Sequence, residues 1–105
     1  MIIGVAALAG KTSRDRQISY YTINGYVAAD AAGFCAGDTT NATLYTATSQ
    51  GTVATAYANN VSIYKTTALT SLANAGVYAD TPGRQRGDTS YEWSGTAWVT
   101  SNTCP

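Results

Sequence analysis

The chain predicts an all-β fold, a small antiparallel sandwich or barrel of short hairpins with an N-terminal arm, and three observations carry that expectation. Short runs of β-branched and aromatic residues recur at spacings of about ten residues, the rhythm of a small all-β domain. Turn residues separate those runs, Asn24-Gly25 and Ser94-Gly95 being the sharpest. Large aromatics, Tyr91, Trp93 and Trp98, bracket the last turn, where cross-strand pairs contribute most.

Taken in order, the first element is the apolar run Ile2 to Ala9. It is far shorter than the roughly 20 apolar residues that span a bilayer, so no membrane span is expected. It also lacks the basic opening of a secretory signal, so Met1 is expected to remain. Ile2, Ile3, Val5 and Leu8 have no reason to face water, which makes the run either an arm that buries itself against a neighbour or a first core strand. Ile18 to Ile23 meets Asn24-Gly25 before Tyr26 and Val27 resume, the pattern of a tight hairpin. Ala28 to Gly37 reads as a loop.

Thr43 to Thr48 reads as a strand, broken by Ser49, Gln50 and Gly51, with further strands at Thr52 to Tyr57 and Val61 to Tyr64. Leu69 and Leu72 stand at helical spacing within Thr67 to Ala75, so a single helical turn capped by Gly76 is expected there. Asp80 to Asp88, with Pro82, Gly83 and Gly87 around Arg84 and Arg86, reads as a second loop. The clearest element is the final hairpin, with Tyr91 and Trp93 on one strand and Trp98 and Val99 on the other.

Length and charge bound the function. At 105 residues the chain is near the size at which cross-links or partner subunits supply part of the stability. Charged residues are 11%, six basic against six acidic, and histidine is absent, which removes the usual general base and the commonest metal ligand. No nucleophile elbow or phosphate-binding glycine loop occurs, so no enzyme and no cofactor are expected. Lys11, Arg14 and Arg16, and then Arg84 and Arg86, are too few and too interrupted by acid for a nucleic-acid partner. Zero net charge gives little protection against self-association and favours a packed subunit.

Cys35 and Cys104 permit one intrachain bond, which would close a loop of about 70 residues and stabilise by roughly 4 kcal/mol. The alternative is a pair of free buried thiols in a reducing compartment. No metal site is expected, because there is no histidine and no second cysteine pair. Asp38, Asp80, Asp88 and Glu92 are the only calcium candidates outside the N-terminal third and lack a calcium-loop spacing. Asn41-Ala42-Thr43 and Asn60-Val61-Ser62 match the N-glycosylation pattern, as a Thr-rich chain does by chance.

From Phe34 to Cys104 the succession FCAG, LYTAT, VSIYKTTALTSLANAGVYAD, YEWSGTAWV and a closing cysteine resembles the short Cys-bounded, Tyr/Gly/Thr-rich β module of phage virion proteins and bacterial surface proteins. The resemblance implies structural or adhesive work without catalysis, on a virion surface or outside the cell, and it assigns no residue a binding role. Those modules usually sit within longer fibre or adhesin chains. Here a single copy, residues 34 to 105, follows a distinct segment, residues 1 to 33, read as anchoring strands and hairpin.

Two functions follow. In the first the chain is a virion structural subunit, a capsid decoration, head fibre or spike, anchored through Ile2, Ile3, Val5 and Leu8 and associating with itself and with other virion or surface proteins. In the second it is a surface module in which exposed Tyr91, Trp93 or Trp98 stacks on a host-surface glycan or receptor. A pilus-like filament growing by strand addition is a variant of the first.

Overall fold

The structure, a computed structural model, describes residues 20–105. It contains strand β1 (Tyr21–Ala28), helix α1 (Ala31–Ala36), β2 (Thr40–Thr46), helix α2 (Val53–Ala58), β3 (Gly76–Ala79), β4 (Thr89–Trp93) and β5 (Trp98–Thr103). All strand pairs are antiparallel and form one five-stranded sheet in the order β2-β1-β3-β4-β5. The all-β antiparallel class is therefore as the sequence predicts.

The register places large apolar residues on one face. Ile23 stands opposite Leu44, Val27 opposite Tyr78, Tyr78 opposite Tyr91, and Trp93 opposite Trp98. Because side chains alternate along a strand, these residues share a side, and α2 covers it with Val53 and Ala56 while Ile63 and Ala73 of the long connection complete the core. The other face carries a smaller cluster, in which Phe34 of α1 packs with Ala28, Val77, Ala79 and Cys104.

Asn24-Gly25 is not a turn. Both residues lie inside the continuous strand β1, paired to Thr43 and Ala42. The glycine is needed for close approach: a Cβ there would stand 2.6 Å from the Ala79 carbonyl oxygen and 3.1 Å from Val53 Cγ2. The strand thus passes beneath α2, and the expected hairpin at this position is replaced by an interior strand paired on both sides.

Two segments expected to be loop or strand are helical. Asp30 caps α1, its Oδ1 accepting from the Gly33 N–H at 2.7 Å, and Gly37 closes the helix at φ 86°. Thr52 to Tyr57, expected as a strand, forms most of α2. Its β-branched composition is overruled by capping, because Thr52 Oγ1 accepts from the Thr55 N–H and Asp80 reaches across from the end of β3 to the same end of the helix.

Val61 to Tyr64 is not a strand of the sheet, and its backbone meets β2 only at Tyr64, which exchanges bonds with Tyr45 at 2.8 and 2.9 Å. The helical turn expected over Thr67 to Ala75 is absent. The chain reverses with Leu69 at φ 59°, Leu72 pairs with Tyr64, and the Ala73 N–H donates to the Ile63 carbonyl. Gly76 opens β3 instead of capping a helix. Asp80 to Asp88 is a loop as expected. It lies over α1, where a Cβ on Gly83, held at φ 83°, would collide with the Phe34 carbonyl.

Cys35 and Cys104 form a disulfide, their Cα atoms 5.5 Å apart, which ties α1 to the end of β5. Within residues 1 to 33, β1 is an interior strand of the sheet. Ile2, Ile3, Val5 and Leu8 lie outside the described residues.

Candidate functional site

The three aromatics expected at a ligand face belong mainly to the packing of the core. Trp93 is 1% exposed and its Nε1–H donates to the Ala73 carbonyl at 2.9 Å. Trp98 lies across the hairpin at 5.0 Å between ring centroids, and its Nε1–H donates to the Val61 carbonyl at 2.7 Å. Tyr57 of α2 fills the space between Tyr91 and Trp98, edge-on to the indole and 4.8 Å from the Tyr91 ring. Burial raises the Tyr91 phenol above its usual pKa, and Asp80 and Tyr57 add to the effect. Both indoles thus pin the 59–75 connection to the sheet, and the burial of Trp93 leaves it no face for a sugar.

Among the described residues the sheet has two edge strands, β2 and β5. β2, at one end of the sheet, pairs with β1 and meets Tyr64 in a single bridge at Tyr45, and β5, at the other end, pairs only with β4. The Cys104 N–H donates to the Asp88 carbonyl at 2.8 Å, which sets the alternation of the ladder. Asn102 therefore turns its backbone toward β4, and Ser101 and Thr103 turn theirs outward. The strand, Trp-Val-Thr-Ser-Asn-Thr, has no charge and no proline, and Val99 is 56% exposed. Charges and prolines are the usual protection of such an edge.

Beside this edge, on the α1 face, lies a groove of about 490 Å³. Val77, Ser90, Glu92 and Asn102 form its floor and Asp30 and Ala31 at the start of α1 its wall. The floor follows from the register: Val77 is paired to Glu92 and Ser90 to Asn102, which puts all four on one side of the sheet. Among the described residues two carboxylates line the groove and no cation does. Ser90 is 1% exposed, and its hydroxyl has no hydrogen-bond partner among the described residues.

The calcium candidates are dispersed. Asp80 directs both carboxylate oxygens to the backbone of α2, and no group of three or more acidic, histidine or cysteine side chains able to hold a metal occurs among the described residues. Arg84 folds back against Gly37 at the end of α1, where a Cβ on the glycine would stand 2.6 Å from its Nε. No described helix is long and apolar enough to cross a membrane. Set against protein-family models, curated proteins and solved structures, the chain matches none.

Sequence reasoning passed over both the edge and the groove. The edge was legible in part, as an uncharged last strand. The groove was not, because its residues come from β3, β4, β5 and α1 and meet only through the register.

Proposed function

We propose that the protein is a non-enzymatic structural subunit that assembles with copies of itself, on the surface of a virion as a capsid decoration, head fibre or spike. The observation that carries this reading is the open edge of β5, six residues of uncharged strand with outward backbone groups at Ser101 and Thr103. Zero net charge lowers the barrier to association, and the disulfide gives the module the cross-link expected of a small exterior domain. The chain also carries an apolar segment, Ile2 to Ala9, suited to strand addition. The virion setting rests on the resemblance of residues 34 to 105 to phage fibre and decoration modules.

The absence of histidine from the sequence supports a role without acid–base catalysis. The glycan-binding alternative draws less support, because Trp93 is enclosed and Tyr91 and Trp98 pack against Tyr57. The test is the mass of the non-reduced full-length chain by light scattering, beside the same chain lacking residues 1 to 12. A discrete oligomer or filament that is lost on truncation supports the subunit reading. A monomer in both forms overturns it.

A further inference from the structure

Charge is distributed unevenly along this neutral chain. Residues 1–19 carry three basic side chains, Lys11, Arg14 and Arg16, against the single acid Asp15. Residues 20–105 carry three basic side chains, Lys65, Arg84 and Arg86, against five acidic ones. Two of those five, Asp30 and Glu92, line the groove beside β5, and no cation of the described residues does. The Asp30 Oδ1 is occupied by the Gly33 N–H, leaving Oδ2 free of the cap. The enclosed Ser90 hydroxyl, without a partner among the described residues, and the Asn102 amide add hydrogen-bonding capacity on the floor. Such a lining is complementary to an extended segment carrying ammonium and guanidinium groups.

We propose that this groove is the docking site for the basic segment Lys11–Arg16 of a second copy of the chain. The proposal rests on the assembly reading above and gives the arm its place. Covalent reach selects the second copy for the segment as a whole. From Tyr20 to Ala29, at the near wall of the groove, the chain runs the length of β1, about 30 Å at about 3.3 Å per residue. Arg16 is four residues before Tyr20 and reaches no more than about 14 Å from it when fully extended. Even with the length of its side chain it stops short of its own groove, and although Lys11, nine residues before Tyr20, spans about 30 Å and reaches that groove, only a second copy seats the whole segment. Asn102 belongs to both the groove and β5, so a segment seated there leaves its neighbouring apolar residues, Ile2 to Ala9, beside the open edge.

The test compares full-length chains by light scattering over a dilution series: wild type, Glu92→Lys, and the triple variant Lys11→Glu, Arg14→Glu, Arg16→Glu. Glu92 is exposed, so its replacement leaves the core intact. Each variant alone is expected to weaken self-association at least tenfold, and an equimolar mixture of the two to restore it, because each reversed arm then meets a reversed groove. Raising the salt should weaken wild-type association. Unchanged association of Glu92→Lys, with association still lost on removal of residues 1 to 12, overturns the groove and leaves the assembly reading standing. If the wild type is monomeric, the assembly reading fails. A synthetic peptide of residues 10–17 titrated into the full-length chain then decides the groove. Amide shifts at Ala31, Glu92 and Asn102 that vanish in Glu92→Lys support it, and their absence overturns it.

Discussion

Asp80, at the end of β3, holds the first turn of α2 through its whole carboxylate: Oδ1 accepts from the Val53 N–H at 2.7 Å and Oδ2 from the Ala54 N–H at 3.0 Å. A helix of six residues has too few internal bonds to stand alone, so its place depends on this clamp and on burial of Val53 and Ala56. Asp80→Ala leaves two helix-terminal N–H groups without that acceptor and should cost about 1–3 kcal/mol. Asp80→Asn, which keeps one carbonyl acceptor, should cost less. Urea denaturation of the two variants beside wild type gives the ordering, and equal stability of all three would remove the clamp from the account.

Gly25→Ala distinguishes an interior strand from a turn at Asn24-Gly25. The added methyl meets the Ala79 carbonyl oxygen and Val53 Cγ2, both held in the packed layer. We expect a loss of about 1–3 kcal/mol from overpacking, read from the denaturation midpoint.

Trp93→Ala should be the most damaging single change. It empties an indole-sized volume at the centre of the core and leaves the Ala73 carbonyl without its donor, a cost of about 3–5 kcal/mol. Trp93→Phe keeps most of the volume and loses the bond, so its cost should be clearly smaller. Thermal unfolding followed by near-ultraviolet circular dichroism reports both.

Reduction of Cys35–Cys104 frees a loop of 69 residues in the unfolded chain. The expected loss is about 4 kcal/mol, measured as the difference in unfolding free energy between the oxidised protein and the Cys35→Ser, Cys104→Ser double variant. The effect should fall on α1 and the end of β5 first, where amide exchange ought to quicken most.

Burial raises the Tyr78 phenol above its ordinary value of 10.0, and its hydroxyl donates to the Asn74 carbonyl at 2.7 Å. A raised folded-state value means that the unfolded chain ionises first. The stabilisation is therefore fully present below about pH 10 and is lost as pH rises through the folded value. Tyr78→Phe should be less stable at neutral pH by about 1 kcal/mol and should lose less stability than wild type between neutral and strongly alkaline pH. A parallel decline of the two proteins would assign the alkaline loss to other groups.

The antiparallel class, the strand over Thr43 to Thr46 and the final hairpin were legible because strand alternation and the Ser94-Gly95 turn agree with the tertiary register. Where the reading missed, a distant residue decided the local structure. Thr52 to Tyr57 has the composition of a strand, yet Asp80, far along the chain, caps it as a helix. Gly25 has the look of a turn residue, and the reason for it lies in Ala79 and Val53 above the strand. Leu69 and Leu72 stand at helical spacing, but Tyr64 draws Leu72 into a bridge. The helix α1 had a local signal at both ends, Asp30 and Gly37 standing as cap and stop on either side of six residues.

The assembly account turns on the outward backbone of β5, and the most direct test is the mass of the full-length Ser101→Pro chain by light scattering. The Ser101 N–H faces away from β4, so proline there removes a donor from the open edge while sparing the ladder to β4. With folding confirmed by unchanged near-ultraviolet circular dichroism, the account predicts a monomer where the wild type forms an oligomer or filament. An assembly of unchanged mass and unchanged affinity would contradict it and place the contact elsewhere on the subunit.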